Sequence, residues 1–480
     1  MRILEHTEPI NVFRFFEDIS LIPHGSGNTE AISEYIVSFA KSKGLEYYKD
    51  KLNNVIVIKN ASSGYENAEP IILQSHIDMV CEKESDCTKD MSKDAIDLKI
   101  DGDFITADGT TLGADDGIGA AYTLAILDDD TLMHPRIEAV FTVDEEIGML
   151  GAFEIDVTPL KAKRMLNLDG GSEKIFTVSC AGGITFKSSF SVKREKYNGK
   201  SIKISISGLS GGHSGVKIID GGANSNSLMG RLLSILSNEC NIRLAHVEGG
   251  FKDNAIAVET TAVIVCDDVT SCMETVVKIE KIFKNEYSVT DPDLTISAME
   301  CEDIIPFDKQ NSDKIIFFLN IVPNGVQTMS AQIDNLVQTS LNFAITNTLA
   351  DTFEAVISIR SSVESQKYML VDKLSLFTSY LGGKKETWGD YPGWEFKPDS
   401  DFRNLMSDVF VKKFEFEPQV EAVHAGLECG LFSGKIQDLD CITYGPDMFD
   451  IHTPRERLSI SSAKKVWEYI VECLKQMKSI

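Results

Sequence analysis

Long apolar runs are missing from this chain. No stretch of the 480 residues approaches the ~18 uninterrupted apolar positions that a membrane helix requires, which excludes a membrane protein. The start, "MRILEHTEPINVFRFFEDIS", carries early acidic residues and an amphipathic pattern. That fits neither a secretory signal nor a transit peptide, so a cytoplasmic location is expected. Positive charge is also in deficit: 47 Lys and Arg face 73 Asp and Glu, a net charge of -26, and such a surface repels nucleic acid and anionic lipid. Paired cysteines are absent too. The ten cysteines are scattered, with no zinc-ribbon or Cys-x-x-Cys spacing, and read as reduced, mostly buried thiols.

What is present is an ordinary globular composition, 43% apolar and 25% charged, in a chain long enough for roughly two to four domains. The first third alternates strand-like and helix-like segments, "NNVIVIKN", "EPIILQSHID", "GIGAAYTLAILDD" and "RIEAVFTVDEE". This is the pattern of an α/β domain with a mostly parallel central sheet. From about Phe186 the texture changes to alternating strands, "GITFKSSFSVKRE" and "SIKISISGLSG", followed by the helix candidate "ANSNSLMGRLLSILSN". A second round opens with "KIIFFLNIVPNG" and continues through a helix candidate, "SAQIDNLVQTSLNFAITN", to the strand "FEAVISIRSS". After the Pro-, Gly- and Asp-bearing connector "GDYPGWEFKPDSD" the α/β texture resumes and closes on the amphipathic helix "SSAKKVWEYIVECLKQM". The expected organisation is a discontinuous catalytic domain, residues 1–185 and 389–480. It is interrupted by a two-layer α+β insert at 186–388 with the look of an internal duplication.

Polar chemistry gathers where the strands end. "LQSHIDMVCEK" places His76 and Asp78 two positions apart, on one side of an extended segment, where a carboxylate can hold one imidazole nitrogen and leave the other free. Four more clusters follow: "TLGADDGIG" with Asp115 and Asp116, "TVDEEIGMLGA" with Glu145 and Glu146, "NLDGG" with Asp169, and "GPDMFDIHTPRERL" with His452. Taken singly, each has a bland explanation as a helix cap, a turn or a solvated charge. Taken together they are histidines and carboxylates after strands, the ligand types that suit zinc. Two metals ~3.5–4 Å apart require one bridging carboxylate and two private ligands each. His76, Asp115, Glu146, Asp169 and His452 meet that count, and Glu145 is left free beside the site to act as a base.

The order His-x-Asp, Gly-Ala-Asp-Asp-Gly, Asp-Glu-Glu-x-Gly, Asp-Gly and a late His resembles the di-zinc metallopeptidases that include carnosinases, aminoacylases and glutamate carboxypeptidases. "GLSGGHSG" and "HAGLECGLF" extend the likeness to a bacterial dipeptidase subgroup over nearly the whole chain. The resemblance implies a zinc-peptidase-like catalytic domain with an inserted lid, and two zinc ions, with cobalt or manganese able to substitute. His76 and Asp169 would hold one ion, Glu146 and His452 the other, and Asp115 would bridge. Asp78 would orient His76, and Glu145 would take a proton from the attacking water and pass it to the leaving amine. It further implies a cis bond between Asp115 and Asp116, a lid histidine at His213 that stabilises the oxyanion, and substrate contacts from Asn254 and Arg360. His424 and Glu428 are placed near the substrate's amino end.

In the resembled clan an aspartate at the position of Asp169 accompanies enzymes that require a free amino terminus, so small unblocked dipeptides are the expected substrates. An aminoacylase or another amidase of the same clan is the alternative, and a non-catalytic peptide-binding protein a more distant one. A homodimer and a monomer both remain open. His6, His24, His134 and His246 have no such constellation and read as structural or exposed.

Overall fold

The computed structural model describes residues 2–479, in two compact units. One comprises Met1–Ser179, Phe396–Ala422 and Leu427–Ile480; the other comprises Cys180–Glu395 and Val423–Gly426. Among the described residues no helix is long and apolar enough to cross a membrane. None of the ten cysteines is bridged, and only Cys81 is exposed.

The first unit is built on an eight-stranded sheet in the order Glu46–Lys49, Val55–Lys59, Ile137–Thr142, Ile71–His76, Arg164–Asn167, Asp440–Thr443, Ile175–Cys180, Gln419–Val423. Its four central strands, Ile137–Thr142 through Asp440–Thr443, run parallel, and the strands flanking them are antiparallel. Ile71–His76 and Ile137–Thr142 are buried at every position, as expected of parallel strands covered on both faces. Fully burying side chains such as Ile72 and Leu73 contributes about 1.5–3 kcal/mol each relative to exposure. That fixes the register of a strand whose last residue is His76. Because the central strands are parallel, their carboxyl ends share one edge, and the residues that follow them gather there.

The second unit carries a nine-stranded sheet in which Gly325–Met329 pairs off the main path onto Val337–Thr348. Two halves repeat one connectivity, strand-helix-strand-strand-helix-strand, the second with Gly325–Met329 added after its first helix. The first runs from Lys200–Ser207 to Thr295–Glu300; the second begins with Gly182–Ser191, resumes at Lys309–Ile321 and ends with Lys384–Tyr391. In both, the fourth strand lies beside the first, followed by the third and then the second.

One element differs from the sequence reading. The opening "KIIFFLNIV" lies within and just beyond the helix Lys309–Ile321, and the helix candidate at 330–347 is instead the strand Val337–Thr348. The apolar spacing in "IDNLVQTSLNFAI" matches helix and strand templates alike. Val337, Thr339, Ile345, Thr346 and Thr348 are β-branched, and pairing along nearly the whole length of Thr352–Ser361 selects the strand.

Candidate active site

Five side chains converge at the carboxyl edge of the first unit's sheet. Asp115 stands at their centre, in the first turn of the helix Ala114–Asp128, where its φ and ψ are non-helical and the Asp115–Asp116 bond is cis. Its Oδ1 is 3.1 Å from Nε2 of His76, which itself lies 3.9 Å from Oδ1 of Asp169. Its Oδ2 is 3.2 Å from Nε2 of His452, and that nitrogen is 2.8 Å from Oε1 of Glu146. Each oxygen of one carboxylate therefore faces a histidine and a second carboxylate. His76, Asp115 and Glu146 alone bring ligand atoms within 4.8 Å of one another, a grouping that suits a metal ion.

The electrostatics suit a bound cation. Burial disfavours charge on His76, yet the Asp115 and Asp78 carboxylates outweigh it and hold the imidazole well above its ordinary pKa. Asp115 and Glu146 hold His452 up to about 10. Burial and the nearby Asp115 charge push Asp169 well above the usual carboxylate range. Burial, with the charges of Glu146, Asp115 and Asp78, pushes Glu145 up to about 7. So many acidic groups in one small volume, with two imidazoles turned toward them, form a centre whose charge a divalent cation would balance.

Asp78 acts through both its backbone and its side chain. Nδ1–H of His76 donates to the Asp78 backbone carbonyl at 3.0 Å, while the Asp78 carboxylate is 3.5 Å from that nitrogen. With Nδ1 so engaged, Nε2 is the nitrogen turned toward Asp115. The carboxylate itself accepts from the amides of Glu145 at 3.0 Å and Glu146 at 3.4 Å and from the Ser26 hydroxyl at 2.8 Å. One residue thus orients a histidine and pins the backbone of the two glutamates.

Glu456 was not singled out from the sequence. Its buried carboxylate accepts from four successive amides, Leu112 and Gly113 at 2.8 and 3.0 Å on Oε2, Ala114 and Asp115 at 2.8 and 3.3 Å on Oε1. It ties the segment that carries His452 to the loop that presents Asp115. In the sequence it stands between Arg455 and Arg457 and reads as surface charge. Asp116 folds back to cap the helix at the Gly119 amide, 3.2 Å away, and a Cβ at Gly119 would collide with that carboxylate.

Glu428 lies beneath the sheet edge, buried, its Oε2 accepting from Gln74 at 2.5 Å and Thr142 at 2.8 Å. Burial raises its carboxyl to about 8. It supports the strands Ile71–His76 and Ile137–Thr142 from below and offers no exposed surface to a substrate. His24 and His134 are buried with Nδ1 on backbone carbonyls, and His246 pairs with Glu248. These are structural roles.

The second unit carries His213, Asn254, Arg360 and His424. Nδ1 of His213 accepts from the amides of Gly215 and Val216, at 3.2 and 3.4 Å, so the ring proton sits on Nε2 and is free to be donated. Burial and the Arg360 charge lower its pKa, which keeps it neutral. Asn254 is exposed and reaches the same loop through its backbone carbonyl, which accepts from Ser214 at 2.8 Å. His424 Nε2 bonds to the Ser340 hydroxyl at 2.7 Å, and burial, reinforced by Arg360, lowers its pKa to about 3.

Comparison with known proteins points the same way. Residues 72–476 match the family described as Peptidase family M20/M25/M40. The chain is 35% identical over 486 residues to the cytosol non-specific dipeptidase of Escherichia coli (strain K12), covering 99% of each. Its structure is similar to that of aminoacylhistidine dipeptidase from Vibrio alginolyticus, with 33% identity and a TM-score of 0.94 over 99% of this chain and 98% of that one. An aminopeptidase PepT from Bacillus cereus, at 15% identity and a TM-score of 0.58, covers 98% of this chain and 99% of its own and shares the fold.

Proposed function

The chain belongs to peptidase family M20/M25/M40, and from that premise we propose that it hydrolyses unblocked dipeptides, Xaa-His types among them, with two zinc ions at the Asp115 cluster. The observation that carries the reading is the division of Asp115: one oxygen toward His76 and Asp169, the other toward His452 and Glu146. This set fits two divalent ions sharing one carboxylate, with zinc favoured by its histidine and carboxylate donors and cobalt or manganese able to substitute. When bound, such ions lower the pKa of water to about 7 and polarise a carbonyl.

Glu145 is the assigned general base. Its carboxylate is raised to about 7, near the optimum for exchanging protons at neutral pH. It takes a proton from the water that attacks the scissile carbon and delivers it to the departing amine as the C–N bond breaks. Asp78 keeps Glu145 in place through its amide. The Nε2–H of His213 is assigned to the oxyanion. His213→Ala is expected to lower kcat by roughly 10²- to 10³-fold, the scale of one lost oxyanion donor, with metal content unchanged. Near-normal turnover would make "GGHSG" a loop without a chemical role.

Rates on Ala-His, Ala-Ala-His and N-acetyl-histidine test the substrate class. Ala-His should be cut well, the tripeptide poorly and the acetylated compound very poorly, because a site built for charged termini rejects substrates that leave its polar groups unpaired. Preference for N-acetyl-histidine would establish the aminoacylase alternative instead.

A further inference from the structure

The loop that carries His213 leaves the strand Lys200–Ser207 and ends at the helix Ser225–Glu239. That strand pairs antiparallel with Thr295–Glu300, and its last residue, Ser207, stands opposite Thr295. The register therefore sets the start of the loop against the turn at 287–294 that precedes Thr295. Gly208, with φ +79°, backs directly onto this turn, and a Cβ there would collide with the Asp293 carbonyl.

Asp291 reaches from the turn into the loop. It is 1% exposed, and its own backbone fixes it: the amide donates to the Tyr287 carbonyl at 2.8 Å, and the carbonyl accepts from Leu294 at 3.1 Å. Its Oδ1 accepts from the amide of Ser210 and its Oδ2 from the amide of Ala223, both at 2.8 Å. The Ser210 hydroxyl adds a bond to the Thr290 carbonyl at 2.7 Å. One carboxylate thus joins the two ends of the loop, with His213 between them. Closing a loop costs chain entropy, and two charge-assisted bonds to a buried carboxylate offset it here.

The middle of the loop has its own anchors, the Ser214 amide on the Asn254 carbonyl and the Ile256 amide on the Gly212 carbonyl. What orients the ring is the loop's own backbone, because Nδ1 of His213 accepts from Gly215 and Val216, and that arrangement depends on the path of the chain between the two ends. We propose that Asp291 is the positioning residue for His213: buried away from any substrate, it acts by holding the loop that aims the Nε2–H. The role calls for two acceptor oxygens, and an asparagine would turn its NH2 group toward one of the amides. This rests on the assignment of His213 to the oxyanion and deepens it.

The test uses Asp291→Asn, with Asp291→Ala as a second variant, on the metal-loaded enzyme with Ala-His. In Asp291→Asn kcat should fall about 10-fold or more, short of the roughly 10²- to 10³-fold of a lost oxyanion donor, with KM and metal content little changed. Asp291→Ala, which frees both ends, should fall further toward His213→Ala. Combined with His213→Ala, either change should cost nothing more, because it acts only through that ring. Given a slow His213→Ala, an unchanged kcat in both Asp291 variants would overturn the proposal, and so would a double variant that multiplies the two losses. The ring also gives a readout without turnover. In protein carrying nitrogen-labelled histidine, the His213 imidazole signals should move in Asp291→Asn as the bonds from Gly215 and Val216 to Nδ1 loosen. If the chain cuts no dipeptide, or His213→Ala turns over normally, the oxyanion assignment falls; moved His213 signals in Asp291→Asn then keep the positioning role, and unmoved ones remove it.

Discussion

Exhaustive chelation is expected to abolish dipeptide hydrolysis, and added zinc, cobalt or manganese to restore it. The argument starts from the charges at the first unit's sheet edge, where Asp115, Glu146, Asp169 and Glu145 crowd together with His76 and His452. Nothing in that set can activate water at neutral pH. Glu145, at about 7, is far too weak a base to generate hydroxide from bulk water, whose pKa is about 15.7.

The same charges predict how metal enters. In the metal-free site His452 is held up to about 10 and His76 well above its usual value, so both imidazoles carry protons at pH 7. A metal ion must displace them, because an imidazole ligates through its neutral form. Protons should be released on metal binding, and affinity should fall as pH is lowered. Calorimetry in buffers of different ionisation enthalpy measures that release. Activity that survives removal of metal to trace levels, verified by elemental analysis, would defeat the mechanism.

Much of this centre was legible from the chain alone because the physics is local. His76 closes a fully buried strand, Glu145 and Glu146 follow another, and Asp169 lies two residues past a third. Parallel strands carry whatever follows them to one edge. What stayed illegible depends on contacts made far along the chain. Glu456 reaches the amides of 112–115 across more than 340 positions, and no local pattern marks such a carboxylate as a clamp. Asp78 was visible as the partner of His76, but its side chain's hold on the Glu145 and Glu146 amides required the fold. The strand Val337–Thr348 was misread because its apolar spacing suits two periods, and only its neighbours decide between them.

Adjacent Glu145 and Glu146 should fail differently when each is changed to Gln. The Glu146 side chain meets His452 at 2.8 Å, so Glu146→Gln removes a charge from one end of the Asp115 bridge. One ion should bind more weakly, with activity recovering in part at high metal concentration. The Glu145 side chain makes no hydrogen bond among the described residues, and burial with the surrounding carboxylates has raised it, the condition of a group that moves protons. Glu145→Gln keeps size, and it keeps the amide that Asp78 holds. Both metals should therefore remain, KM should change little, and kcat should fall by at least the ~10²- to 10⁴-fold that general base catalysis supplies. Added metal should not rescue it. Metal analysis beside steady-state kinetics decides the matter: if Glu145→Gln loses an ion while Glu146→Gln keeps both, the ligand and the base have been assigned the wrong way round.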